Sequence, residues 1–490
     1  MSLFSITEDK TKYVSLIMII WIGTALRLFR LESQSLWFDE ASRLAQAWAS
    51  VTAIWRNAGQ DTQPPLYQLI QHFWLKLGYN DYLGRFLPAI AGICLVAVIF
   101  RLAYQLFDVK TALAAATLTA IMPYQIFHAQ QANLYSLLVV ISGLQMVSFW
   151  QAIHTNKWRS WAFYGVLLVL GFYTQYMSIL TPLTLFLYFL LQKPSAKVWR
   201  RFIVVNVVSG LALLALLPRF LNGFQIITEN FWLEKPSILE PLATLHRFLV
   251  SYSLPTWIAP IALFTTIGTV ILSLYDLLKP DAEKGYRPGK MILYLFMLAF
   301  LPILLTLLIS QIQPVYLDRA LIITTPALIV LLARAFTLGK RSPVPYLGLV
   351  LIAVIIVALG NYYTNPDFAK PPYRTATKYV VDHFQPGDVI VHTSNGSYVP
   401  ALFYSTIPDH YLLAGDPQPH QPGQVFEQKG GTTIDEDQLL QYKHIWLIVA
   451  FDHSLEYQQT VLKRFDQYYA ILSQTDIGGI LIRQYEVASP

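Results

Sequence analysis

Long apolar stretches recur along this chain, near 13–30, 84–106, 111–129, 134–153, 160–174, 176–191, 202–221, 257–278, 291–311, 320–337 and 345–363. A helix of roughly 20 apolar residues spans the hydrocarbon core of a bilayer. The pattern therefore predicts about eleven transmembrane helices, the pair 160–174 and 176–191 being short. Between the first two spans lies a loop with its own periodicity. Leu44, Trp48, Val51 and Trp55 fall on one helical stripe, with Arg43, Gln46, Ser50 and Arg56 elsewhere, which predicts a helix lying in the membrane interface. After Pro64-Pro65, the residues Leu66, Leu69, Ile70, Phe73, Trp74 and Leu77 define a second one, with Gln68, Gln71, His72 and Lys76 on its polar side. Phe231-Trp232 and the apolar residues between Ile238 and Leu254 predict another interfacial helix. Past residue 364 the pattern changes again. Short apolar runs at 388–391, 445–449 and 480–482 alternate with helix-like stretches around 373–384 and 455–469, as in a small α/β domain. The predicted domains are thus 1–363 in the membrane and 364–490 outside it.

Composition agrees: of 490 residues, 55% are apolar and only 13% charged, about half the charged share of a soluble domain. A soluble enzyme, a disordered chain and a fibre are excluded. The net charge of +6 does not point to nucleic acid, because the basic residues are scattered over short loops. With a cytoplasmic N-terminus, alternate loops carry Lys110; Lys157 and Arg159; Lys193, Lys197, Arg200 and Arg201; Lys279, Lys284, Arg287 and Lys290; and Lys340 and Arg341. Positive charge is thereby kept inside. The expectation is a multi-pass protein of the cell (inner) membrane with its C-terminal domain extracytoplasmic, so that chemistry is to be sought on the outer side. The single cysteine, Cys94, lies in an apolar run and supports neither an intramolecular disulfide nor a cysteine metal site.

Asp39-Glu40 follows the first span, at the start of the first interfacial helix. The two carboxylates read either as an N-cap with a first-turn acid or as a general base at the lipid–water boundary with a companion. His72, close to Asp61 in sequence, is a substrate contact, a member of a divalent-metal site with a carboxylate, or an interfacial polar residue, and the last reading holds equally for His128 and His246. No metal can be argued from these residues. Asp435-Glu436-Asp437 reads as solvated acids at a helix start, and Asn395-Gly396-Ser397 alone is a weak glycosylation signal.

The Asp39-Glu40 pair, the stretch Asp61-Thr62-Gln63-Pro64-Pro65-Leu66-Tyr67 running into Leu69 to Gly78, and Leu83-Gly84-Arg85-Phe86-Leu87-Pro88 resemble the N-terminal half of family-39 glycosyltransferases of the GT-C superfamily. That group includes protein O-mannosyltransferases and the aminoarabinose transferase of lipid A. The resemblance continues through Tyr316-Leu317-Asp318-Arg319 and from Tyr373-Arg374 to Gly387-Asp388. It implies a polytopic α-helical enzyme of GT-C type with an extracytoplasmic α/β domain. Such an enzyme moves a hexosyl or pentosyl group, with inversion, from a polyprenyl-phosphate carrier to an acceptor glycan, lipid or protein. It further implies Asp39 as base with Glu40 beside it, and Asp61, Tyr67, His72, Gln131 and Tyr135 as substrate contacts. A carrier phosphate needs a cation, and arginine grips phosphate oxygens with a planar fork. Arg319, with Tyr316 near it, is the first candidate for that role and Arg85 the second. Relatives carry a histidine in place of Gln63 and a Gln-Glu-Ala-Arg-like run where this chain reads Gln130-Gln131-Ala132-Asn133. A carboxylate and an arginine are missing there, which leaves the partner of Glu40 open. Deleting 364–490 is expected to alter acceptor choice more than carrier hydrolysis. The competing class is a transporter or lipid flippase, which usually carries paired repeats and broken helices near the midplane; neither is visible here.

Overall fold

A computed structural model describes residues 3–58, 63–230, 233–278, 289–338, 344–414, 432–450 and 455–487. Asp61, Phe231-Trp232 and the loop residues Lys279, Lys284, Arg287, Lys340 and Arg341 lie outside the described residues. The chain packs as two compact units that interleave in sequence. One comprises Met1–Leu31, Asp61–Tyr67 and Arg85–Phe368; the other comprises Glu32–Gln60, Gln68–Gly84 and Ala369–Pro490.

Every predicted apolar stretch is helical. The first unit contains α1 (Leu3–Leu28), most of α5 (Asp81–Leu106), α6 (Val109–Ile121), α7 (Pro123–Ala129), α8 (Tyr135–Thr155) and α9 (Trp158–Thr174). It continues with α10 (Leu180–Leu191), α11 (Ala196–Leu213), α12 (Leu217–Asn230), α13 (Glu240–Val250), α14 (Ala259–Leu278), α15 (Lys290–Ser310), α16 (Thr325–Leu338) and α17 (Val344–Thr364). Among the described residues, seven helical segments are long and apolar enough to cross a membrane by length and composition; Val109–Ile121, Tyr176–Leu191 and Ala259–Leu272 are shorter apolar helices. Large side chains such as Trp21, 69% exposed, and Phe264, 76% exposed, cover the outside of these helices. Continuous apolar surface of that extent is stable against lipid, not water. This is a membrane protein.

Departures from the sequence pattern have local causes. The third apolar stretch breaks after Ile121, because Pro123 has no N–H to donate and Met122 before it is extended. Arg27, near the end of the first apolar stretch, is fully buried: its guanidinium donates to the Thr119 and Ala120 carbonyls at 2.9 and 3.1 Å and to Gly23 O at 3.0 Å. The last carbonyls of α6, which lack helical donors, thus receive a cation. Gly92 leaves room for it, since a Cβ there would lie 2.6 Å from Ala129 Cβ and 2.9 Å from Arg27 Nε.

The second unit contains α2 (Phe38–Trp48), α3 (Val51–Asn57), most of α4 (Leu66–Trp74), α18 (Tyr373–His383), α19 (Asn395–Tyr404) and α20 (Leu455–Tyr468). Its sheet is built from β1 (Asp388–His392), β2 (His410–Leu413), β3 (Thr432–Ile434), β4 (His444–Val449), β5 (Ala470–Ile477) and β6 (Ile480–Glu486), in the order β3-β2-β1-β4-β6-β5. The first four strands run parallel; β6 is antiparallel to β4 and to β5. Alternation along β1 and β4 sends Val389, Val391, Ile445 and Leu447 into a core with Val461 and Phe465 of α20. Ile390, Trp446 and Ile448 pack on Tyr373, Ala376 and Val380 of α18. Gly478 and Gly479, at φ +60° and +86°, form the two-residue turn joining β5 to β6.

A buried polar chain runs through this sheet. Ser397 Oγ donates to Ser394 O, so its oxygen accepts from His392 Nδ1 at 3.2 Å. With neutral rings, His392 Nε2 accepts from His410 Nδ1 at 3.0 Å, and His410 Nε2 accepts from Ser405 Oγ at 2.7 Å, the Ser405 hydroxyl then turning from Ile407 O, 3.4 Å away. These contacts are all satisfied with both imidazoles neutral. Burial pushes His410 down to about 4, and burial with His410 alongside holds His392 well below its ordinary 6.5. Asp435 caps a 3-10 turn at Glu436–Gln441, the helix start predicted for those acids. Asn395 and Ser397 are buried, and so unavailable as a glycosylation site.

Candidate active site

The stripe at 44–55 forms two helices rather than one. Ala49 is extended and Ser50 Oγ accepts from Ala53 N–H at 3.2 Å, capping α3 and ending the periodicity at α2. Leu44 is buried while Trp48 and Val51 are exposed. In α4 the polar side faces inward. Gln71 is fully buried and donates to Gly84 O at 3.0 Å, Gln68 donates to Gln46 Oε1 at 3.2 Å, and His72 Nδ1 lies 3.0 Å from Ala47 O. Phe73 and Leu77 are exposed. The Gln71 bond answers a local deficit. Pro88, inside α5, cannot donate to the carbonyl four residues before it, and Gln71 supplies that bond to Gly84.

Asp39 and Glu40 occupy the first turn of α2, where carboxylates complement the helix dipole. Asp39 is half-buried; Glu40 is fully buried. Glu40 Oε2 makes a long contact, 3.5 Å, with Trp37 N–H and lies 2.6 Å from Lys370 Nζ. The cation beside Glu40 therefore comes from just beyond the last span, not from the 130–135 run. Around it, residues 32–37 are tied down: Lys370 N–H donates to Gln34 Oε1, Arg374 N–H to Ser35 Oγ, and Arg374 Nη2 to Glu32 O. Leu36 N–H donates to Tyr404 Oη at 2.7 Å, Tyr404 donates to Asp81 Oδ2 at 2.7 Å, and Arg374 pairs with Asp81. Burial, then the Asp81 charge, push the Tyr404 phenol well above its ordinary range and keep it a donor. The sequence contained one signal for Lys370 and Arg374: two cations close to a span end on the predicted outer side, where the charge rule disfavours them.

In the first unit, the guanidinium of Arg319, half-buried, lies 5.8 Å over the Tyr135 ring, and the backbone N–H of Arg319 donates to Asp318 Oδ1. Asp318 also accepts from Tyr252 at 2.6 Å and lies 3.6 Å from Arg247, which pairs with Glu240 at 2.8 Å. Burial and then Asp318 hold the Tyr252 phenol far above its usual range. Tyr316 is buried, its hydroxyl 2.8 Å from Thr244 Oγ1, and burial pushes it up to about 12. The ring of His128 is edge-on to Tyr135 at 5.2 Å, and both its nitrogens are buried without a hydrogen-bond partner among the described residues.

Of the predicted residues, Tyr135 and Arg319 meet, and Asp39 stands beside Glu40. Arg85 is buried and donates to Leu31 O at 3.0 Å, a carbonyl in the turn that follows α1. Tyr67 lies in the core of its unit. Gln131 is buried, its side-chain nitrogen without a hydrogen-bond partner among the described residues, and His72 is bound to backbone. Asp61 lies outside the described residues. Among the described residues no cluster of three or more His, Cys, Asp or Glu side chains could hold a metal ion.

The sequence profile of the dolichyl-phosphate-mannose-protein mannosyltransferases matches residues 62–221, about a third of the chain and downstream of the acid pair. No curated relative matches in sequence. Among solved structures, ArnT from Cupriavidus metallidurans in the apo state is similar with a TM-score of 0.64 at 12% identity, over 98% of this chain and 99% of ArnT. ArnT bound to undecaprenyl phosphate gives 0.63 at 12% identity, over 96% and 97%. The oligosaccharyltransferase AglB from Archaeoglobus fulgidus, in complex with an inhibitory peptide and a dolichol-phosphate, gives 0.55 at 12% identity, over 99% of this chain and 75% of AglB. The chain has the GT-C fold, membrane helices with a C-terminal α/β domain.

Proposed function

We propose that this protein is a membrane glycosyltransferase that moves a sugar from a polyprenyl-phosphate carrier to an acceptor hydroxyl on the extracytoplasmic side. The observation that carries the reading is a likeness running the whole length of ArnT, a protein also solved with undecaprenyl phosphate bound. In the reaction Asp39 takes the acceptor's hydroxyl proton, the acceptor oxygen bonds to the anomeric carbon, and the bond from that carbon to the phosphate oxygen breaks. One displacement inverts the anomeric centre. The leaving group is a phosphate monoester whose growing charge a guanidinium stabilises; that role goes to Arg319, with the aromatic face of Tyr135 beneath it and Tyr316 nearby in sequence. The acceptor, whether glycan, lipid or protein, meets the donor where membrane lipids border the outer surface.

The test uses purified full-length protein in nanodiscs, supplied with a set of radiolabelled undecaprenyl-phosphate monosaccharides and membrane extract as acceptor. Release of undecaprenyl phosphate with label transferred is expected. Asp39→Asn should lower turnover by about 10²- to 10⁴-fold while carrier binding persists. Arg319→Ala should weaken undecaprenyl phosphate binding by roughly tenfold or more. Turnover of no donor rejects the reading; full activity of Asp39→Asn rejects Asp39 as the base.

A further inference from the structure

Glu40 is sealed from solvent, and a carboxylate so placed stays ionised only beside a cation. Lys370 Nζ supplies one at 2.6 Å, with its own side chain 13% exposed. The contact spans 330 residues of sequence. The adjacent Lys370 N–H and the Arg374 main chain and guanidinium hold residues 32–35, so the segment that leads into α2 is fixed from the same side. Two carboxylates on successive residues of one turn repel each other, and each opposes ionisation of its neighbour. A lysine bound to Glu40 offsets that repulsion within the turn.

We propose that Lys370 is a positioning residue for the acid pair: by pairing with buried Glu40 it offsets that carboxylate's charge and fixes the first turn of α2, which carries Asp39. The inference rests on the reading of Asp39 as base. A glycosyltransferase of this fold would then draw one part of its catalytic machinery from the C-terminal segment, with Glu40 serving as anchor rather than as a second base.

The experiment compares wild type, Lys370→Met, Lys370→Arg, Glu40→Gln and the double variant Glu40→Gln/Lys370→Met, all full length in nanodiscs. It measures kcat and KM for the donor that wild type turns over, the Kd for undecaprenyl phosphate, and thermal unfolding. Lys370→Met should lower kcat about tenfold to hundredfold, with KM and carrier Kd within about twofold of wild type. Lys370→Arg should recover most of the kcat. The double variant should be no slower than the slower single variant, and should melt above Lys370→Met, because its buried charge is gone. Unchanged kcat in Lys370→Met, or losses that multiply in the double variant, would overturn the proposal. Should wild type turn over no donor, the base assignment falls and the positioning role with it. The order of melting still judges the ion pair in that case, and equal melting of all variants rejects it.

Discussion

The neutral pair His392 and His410 makes the stability of the α/β sheet depend on pH. His410 is lowered to about 4 by burial, against 6.5 when free. Above pH 7 both states leave the ring neutral and its contribution is constant. Below 6.5 the unfolded chain takes up a proton that the folded sheet refuses, so stability falls as pH falls, until His410 itself titrates near 4. At about 1.4 kcal/mol per pKa unit, His410 alone removes about 2 kcal/mol between pH 7 and pH 5 and roughly 3 kcal/mol by pH 4. His392, lowered further, acts in the same direction. Hydrogen–deuterium exchange of the β1 and β4 amides in the full-length protein, corrected for the intrinsic pH dependence of exchange, reads this locally. Carboxylates also titrate in this window, so the deciding quantity is the difference between wild type and His410→Asn. The variant should start less stable at pH 7 and lose about 2 kcal/mol less on going to pH 5. Parallel pH profiles would mean that His410 titrates in its ordinary range and that the directional chain from Ser405 to Ser397 is wrong.

Two further outcomes follow from packing. Gly92→Ala places a Cβ 2.6 Å from Ala129 Cβ, on backbone that cannot swing away; it should destabilise by about 1–3 kcal/mol, and an unchanged midpoint of thermal unfolding would contradict that packing. Removing residues 364–490 deletes Lys370, Arg374 and Tyr404, the partners of Glu40, Glu32, Ser35, Leu36 and Asp81. Carrier release should then be lost together with transfer, rather than acceptor choice alone, and a truncated protein that still releases undecaprenyl phosphate at the wild-type rate would show that α2 holds its geometry unaided.

The sequence alone located the long apolar helices and the strands at 388–391, 445–449 and 480–482, but not β2, β3, β5 or α19, because the solvent imposes only the stronger patterns locally. A segment that crosses lipid must be apolar for a fixed length, and a half-buried strand must alternate; both constraints are written in neighbouring residues. It also isolated Asp39-Glu40, since adjacent acids at a membrane boundary are conspicuous. What only the tertiary structure decided was which residues those acids and their neighbours face. The cation beside Glu40 lies 330 residues away, and the arginine on Asp81 lies 293 away. The helix at 44–55 broke at a serine whose capping bond outweighs the hydrophobic stripe, and the polar side of α4 turned inward because a proline elsewhere had left a carbonyl to be satisfied. Pairings of that kind have no period: they arise from chain reversals that bring distant groups together, and the cost of leaving a buried charge or carbonyl alone then selects the partner.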